Sequence, residues 1–476
     1  MSQYLSLTKQ KGSKAALKRA FAFISIASLA GIASAQPQDQ LAAQLATSVD
    51  DGFTIAVVGD LIISYPLDHM MSDPGFRAVV ELTRSADVTT ANLEGNIIDG
   101  RSYQGSRGGG FGGEPQVAQW IKDMGFDIVS RPNNHANDFG LGGLVETSKH
   151  LDAVGLQYAG YGDSYWGAKS ARFYSSPGGR VGMVAVSDHN PRAQLPRGEW
   201  PGTGGISPLR VSRYFMLPEA SWDALQTMRD HFPNGTSFYA RGANNDEQIA
   251  FLGQQFRKAD ASVTEPYYHY EMNQTDLADT LAAVREGKIK SDFITVAIHA
   301  HHFKDAQGGY RGEGIAEAEH LDTNSSIADY LPEFAHAAID NGADLFQGTG
   351  VHALRGIEIY NNRPIFYGLG EFIRQMDVIG LAGRGDPSRS IGPENAEFPV
   401  KFESILAVSE YHGGQLTEVR IHPIEARYDE TKLSQRGIPR IAPPEIAQRI
   451  LRRLQRLSAP LGTTIEIEGN IGIIRP

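Results

Sequence analysis

The chain has 476 residues and no cysteine, so disulfides and thiolate metal sites are closed to it, and any bound metal must be held by oxygen and nitrogen. Its formal net charge of -11 makes nucleic acid a poor partner, and no nucleic-acid function is expected. The 52 Gly and 24 Pro fit many loops laid over an ordered core.

The first 35 residues read as a separate unit. Lys9, Lys11, Lys14, Lys18 and Arg19 precede the apolar run AFAFISIASLAGI, which ends in Ala33-Ser34-Ala35. That order is a secretory leader with an AxA cleavage site and an apolar core too short to span a bilayer; an uncleaved anchor is the alternative. Its removal takes away five basic residues and no acid, moving the net charge from -11 to -16. The protein is therefore expected to be exported, to the periplasm or beyond. No later run approaches ~20 apolar residues, so the mature chain should carry no transmembrane segment.

After a polar lead-in, FTIAVVGDLII (53–63) predicts a strand interrupted at Gly59-Asp60. DPGFRAVVELTRSA predicts a helix with Asp73 as N-cap and Pro74 in its first turn. DVTTANLEGNI is a second strand that leaves Glu94 at its end. GSRGGGFGGEP is loop by composition and leads into the helix PQVAQWIKDMGF. DIVS, the helix GGLVETSKHLDAVG, LQYAG and RVGMVAVSD complete a first α/β half.

Residues 190–290 break this rhythm with Pro, Gly, Asn and aromatics, and predict an insertion. The rhythm returns with DFITVAIHAHHF, the helix IADYLPEFAHAAIDNG, the strand ADLFQGTG, and IEIYNN with RPIFYGLGEFI. Residues 376–476, with strands ESILAVSEY and QLTEVRIHPI and the basic helix PEIAQRILRRLQRLS, predict a small C-terminal β/α extension. The domain itself is expected over 50–375.

Five segments share one grammar, in which an apolar strand ends and oxygen or nitrogen ligand types begin: VVGD, ANLEG, PNNH, IHAHH and GTGVH. One such case would usually be a cap or a satisfied polar group. Five in chain order point to a common centre. Two divalent cations ~3.5 to 4 Å apart need a bridging carboxylate and further anionic and neutral ligands. Asp60 and Glu94 offer carboxylates, Asn134 a neutral oxygen, and His299, His301 and His352 imidazoles. In an extended strand, residues two apart face the same way, so 299 and 301 can share a centre while His302 points away. Imidazole with carboxylate and no sulfur suits one or two ions of Zn, Mn or Fe.

The order GD, ANLEG, NNHANDFG, HxH, GVHALRGIEIY and IFYGLGEF resembles the bacterial capsule-synthesis (CapA, poly-γ-glutamate) family of the calcineurin-like metallophosphatase superfamily, over roughly residues 53–375. The resemblance implies a four-layer α/β/β/α sandwich with the metal centre at one edge of its sheets. It implies that Asp60 is the first-motif ligand, that Glu94 stands for the bridging aspartate, and that Asn134, His299 and His352 are metal ligands. It makes His135 the residue that protonates the leaving group; Asp138, three residues on, is expected to orient it, as carboxylates beside metal-site histidines commonly do. Three departures stand out: Ile62 and Gly350 occupy positions where the superfamily usually has histidines, and Glu371 stands where the family generally shows Asn.

Two functions follow as expectations. One is a metal-dependent hydrolase acting on a phosphoester or γ-glutamyl amide, with Arg131 and Arg355 gripping an anionic substrate. The other is a non-catalytic accessory protein in the assembly or export of an anionic polymer. The insertion's Trp200, Trp222, Tyr267, Tyr268 and Tyr270, with Glu265 and Glu271, raise a sugar-binding or glycosidase reading as well. Aromatics in a long insertion more often form its own small core.

Overall fold

The computed structural model describes residues 44–106, 110–231, 245–304, 326–375, 402–427 and 430–476. The expected leader, residues 1–35, lies outside them.

Strand β1 (Phe53–Ile62) is buried almost throughout, because its alternating side chains enter two different cores. Phe53, Ile55 and Val57 point one way, and Ala56 and Val58 the other. Helix α1 (Pro74–Ser85) covers the second face with Phe76, Val79 and Val80. As the sequence predicts, Asp73 caps this helix, accepting from the Phe76 amide at 3.0 Å, and Pro74 opens it. Strand β2 (Val88–Leu93), helix α2 (Gln116–Asp123), strand β3 (Ile128–Ser130), helix α3 (Gly140–Val154) and strand β4 (Gln157–Ala159) continue the α/β rhythm. β1 to β4 are neighbours in order and parallel.

The second half repeats the plan. Strands β5 (Arg172–Ser176) and β6 (Gly179–Ser187) form a hairpin. The insertion holds strands β7 (Val211–Leu217), β8 (Gln248–Phe251), β9 (Gln254–Lys258) and β10 (Tyr267–Met272), and helix α4 (Glu219–Asp230). Its four strands make a separate sheet ordered β8–β9–β7–β10. Leu217, Trp222, Leu225, Ile249 and Phe251 form a small core of its own, as the aromatic content of an insertion predicts. The insertion is shorter than 190–290, because helix α5 (Gln274–Ile289) packs Ala283 and Val284 into the core of the second large sheet. That sheet then gains strand β11 (Phe293–His299), helix α6 (Tyr330–Asp340), strand β12 (Leu345–Thr349), and strands β13 (Ile357–Tyr360) and β14 (Arg363–Phe366). Its order is β13–β14–β12–β11–β6–β5.

One core joins the two large sheets, with Ile55 and Val57 from β1 beside Met183 and Ala185 from β6 and Phe293 and Ala297 from β11. The opposite faces of β6 and β11 bury Val184, Val186, Ile294 and Val296 against α5 and α6. The chain is thus a mixed α/β fold of the metallophosphatase-like kind. Gln347 of β12 ties the sheets with polar bonds, donating to the Val58 carbonyl at 2.9 Å and accepting from Thr90 at 3.1 Å.

The expected C-terminal extension is instead part of the first sheet. Strand β15 (Glu371–Arg374) runs parallel to the end of β1, and strand β16 (Glu403–His412) runs antiparallel to its start. Strand β17 (Gln415–Glu425) extends the ladder. Helix α7 (Pro444–Ser458) adds Ile450, Leu451 and Leu454 to the core between the sheets, and strands β18 (Glu466–Glu468) and β19 (Ile471–Ile474) close the edge. The reason is backbone accounting: β1 is buried on both faces, and its amides and carbonyls need a strand on each side. Strand patterning in 403–425 marks strands without saying which strand they pair with.

Candidate metal centre

The functional side chains collect where β1, β2, β3, β11 and β12 end. Asp60 reaches the cluster through an irregularity in β1. The ladder to β2 shifts between Val57 and Asp60, and that to β15 shifts between Asp60 and Leu61. Gly59 permits this. A Cβ there would lie 1.8 Å from the Gly370 carbonyl oxygen, so only glycine lets β15 close against β1 and set Glu371 opposite Asp60.

Asp60 and Glu94 are fully buried, as is His299 at the end of β11. Asn92 donates to Asp60 Oδ1 at 2.8 Å and to His299 Nδ1 at 3.0 Å, while its own carbonyl oxygen accepts from Ser130. His299 Nε2 lies 2.9 Å from Asn134 Oδ1 and 3.1 Å from His301 Nε2. His352 turns into the cluster from a left-handed backbone, φ 53°, that a non-glycine residue holds only when its surroundings compel it. Its Nδ1 stands 3.3 Å from Asp60 Oδ2, and its Nε2 3.8 Å from Glu94 Oε1.

Among the described residues, two triads bring ligand atoms within 4.8 Å of one another: Asp60 with Glu94 and His299, and Glu94 with His301 and His352. Both contain Glu94, the residue expected to bridge. Its two carboxylate oxygens are buried and accept no hydrogen bond among the described residues. Leaving such a group dry and unpaired costs several kcal/mol, on the order of 1–3 even for a neutral one, and a cation between the triads removes that cost. Burial, then the Asp60 charge, pushes the Glu94 carboxyl well above its usual range. Burial acts on Asp60 too, but His299 and His352 outweigh it and hold its carboxyl down. Burial pushes His301 well below the usual imidazole range, and His299 and His352 add to the effect. A divalent cation would draw the proton off Glu94 and hold it as a carboxylate, and carboxylate oxygens with imidazole nitrogens are a donor set that fits such an ion.

His135 borders this cluster. Its Nδ1 meets Asp138 Oδ2 at 2.7 Å, its Nε2 faces Glu94 Oε1 at 3.7 Å, and its ring stacks on Phe111 at 3.7 Å between centroids. The Phe111 amide donates to the same Asp138 oxygen at 2.7 Å, so the glycine-rich loop fixes the carboxylate that orients the ring. Asn133 holds the loop by donating to the Leu93 and Arg131 carbonyls. His302 points away, with Nδ1 2.9 Å from the Tyr330 hydroxyl.

The family model for "Bacterial capsule synthesis protein PGA_cap" matches residues 54–309 and 320–376. The chain belongs to this family. It is also 38% identical over 464 residues to uncharacterized protein y4sH of Sinorhizobium fredii, covering 90% of this chain and 94% of that one. "PGA biosynthesis protein CapA" of Bacillus subtilis is 21% identical over 333 residues, covering 69% of this chain and 64% of that one. "Capsule biosynthesis protein CapA" of Bacillus anthracis is 23% identical over 166 residues, which is 33% of this chain and 40% of that one.

Within this member of the family, the two arginines expected to grip substrate lie elsewhere. Arg131 is buried under α3, donating to Ser148 at 2.7 Å and to the Leu144 carbonyl, with Tyr158 and Tyr161 beside its guanidinium. Arg355 is buried with its guanidinium on the His302 carbonyl. Both brace the backbone, and a motif-adjacent position does not reveal that. Positions 62 and 350 bring no imidazole to the cluster, and each is fixed locally. Ile62 is fully buried in β1. Gly350 has φ +116°, and a Cβ there would lie 2.7 Å from the Ala300 oxygen and 2.8 Å from its nitrogen, so no imidazole fits. His189, just past β6, is an additional member that the strand-end grammar could have found in VSDHN. Its ring lies 5.5 Å from that of His301 and 6.0 Å from that of His299, and Ser187 Oγ meets its Nδ1 at 2.8 Å.

Proposed function

We propose that this member of the capsule and poly-glutamate synthesis family is an exported metal-dependent hydrolase acting on a phosphoester or a γ-glutamyl amide. The observation that carries the reading is the pair of ligand triads sharing Glu94. Bound divalent ions would supply Lewis acidity toward the scissile group and a nucleophile drawn from water near neutral pH. Asp60, Glu94, Asn134, His299, His301 and His352 would hold them. His135 then works from the rim. Asp138 holds Nδ1, Phe111 fixes the ring plane, and Nε2 is left facing the cluster to hand a proton to the departing group.

The test is His135→Asn. Metal content should stay near wild type, while hydrolysis of a substrate with a poor leaving group slows roughly 100-fold, and an activated ester is much less affected. Loss of metal in this variant would move His135 from proton donor to ligand. Export rests on the leader, and a mature chain from the extracytoplasmic fraction that starts at or near Gln36 is its check. Among the described residues no helix is long and apolar enough to cross a membrane.

A non-catalytic accessory role in polymer assembly is the second reading, favoured by the two imidazole positions filled by Ile62 and Gly350. "Probable polyglutamine synthesis accessory protein" is the name of a Mycobacterium tuberculosis relative, 25% identical over 304 residues. A metal-loaded wild type that turns over neither substrate class would favour this role.

A further inference from the structure

Glu371 opens β15 directly opposite Asp60. Its side chain is 1% exposed, and apart from ion pairs with His352 and Arg374 neither carboxylate oxygen has a hydrogen-bond partner among the described residues. Oε1 lies 2.9 Å from His352 Nδ1, and that nitrogen is 3.3 Å from Asp60 Oδ2, a second buried oxygen that accepts no hydrogen bond there. Arg374 also contacts Glu371 Oε1.

These separations are those of a coordination polyhedron. Ligand atoms about 2.1 Å from a cation stand about 3.0 Å apart at right angles and about 3.4 Å apart at a tetrahedral angle. His352 Nδ1 keeps that spacing to Asp60 Oδ2 on one side and to Glu371 Oε1 on the other. We infer that Glu371 is a further ligand of the metal centre, making it a three-carboxylate site that takes a harder divalent ion, Mn or Fe, in preference to Zn. The Arg374 guanidinium offsets part of the charge of this third carboxylate. The inference rests on the metal-centre reading but not on turnover.

The experiment titrates metal-free full-length protein with Mn2+ and, separately, Zn2+, following free metal by equilibrium dialysis and bound Mn2+ by electron paramagnetic resonance. Glu371→Gln should weaken Mn2+ binding by about 10-fold or more and Zn2+ binding by less. Mn2+ affinity indistinguishable from wild type, or a Zn2+ loss as large as the Mn2+ loss, overturns the assignment. Should Glu371→Gln fail to fold by circular dichroism, Glu371→Asp is measured instead: it keeps the charge facing Arg374 but withdraws the carboxylate by one methylene, and the same two results decide. A wild type that binds neither ion brings down the metal centre itself; a wild type that binds Mn2+ beside an unaffected variant brings down only the role of Glu371.

Discussion

The two large sheets bring different chemistry to one place. The first sheet contributes oxygens: Asp60 from β1, Glu94 after β2, Asn134 after β3 and Glu371 from β15. The second contributes nitrogens: His299 and His301 at the end of β11, His352 after β12 and His189 after β6. Asn92 and Gln347 link the sides by hydrogen bonds. The oxygen side carries the negative charge and gains most from a cation. On the imidazole side burial lowers His189, His299 and His301, which favours their neutral, metal-binding forms, so neither half alone makes a site.

The largest effect should come from breaking the oxygen side at its hub. Glu94→Ala should abolish binding of both ions, because both triads use it, whereas His352→Ala should remove one. Metal-to-protein ratios by elemental analysis distinguish the two. Equal losses in both variants would mean that the halves are not organised around Glu94.

A smaller effect probes how the oxygen side is aimed. Gly59→Ala puts a methyl against the Gly370 carbonyl and should separate β15 from β1. Urea denaturation of the metal-free protein should show a loss of about 3 kcal/mol. Wild-type stability in this variant would show that β1 and β15 do not need their close approach.

The smallest effect sharpens the account of the imidazole side. Burial pushes His189 to about 3, helped by His299, and pushes His302 to about 3, helped by Arg213 and Arg355. Both folded values lie below the unfolded imidazole value, so the stability they protect is complete above about pH 6.5. It is lost as pH falls toward 3, because the unfolded chain takes up protons that the fold refuses. Each should cost about 1.4 kcal/mol per pH unit in that window. His302→Gln should flatten the acid slope of metal-free protein measured by urea titration between pH 6 and 4; an unchanged slope would mean that His302 is charged in the fold.

Much of this was legible in the residues themselves. Apolar runs ending in Asp60, Glu94, Asn134-His135, His299 and His352 marked strand ends because side-chain polarity changes abruptly where a buried strand leaves the core, a local property. The N-cap at Asp73 and the opposed facing of His301 and His302 were equally local. What only the tertiary structure decided was who meets whom. Strand β16 beside β1, Glu371 beside His352, and Arg131 and Arg355 turned inward onto Leu144 and His302 all join residues distant in the chain or face directions that spacing does not encode. Pairing of that kind is settled when buried strands find partners for their backbone and buried charges find partners for their charge, and those are conditions on the whole fold.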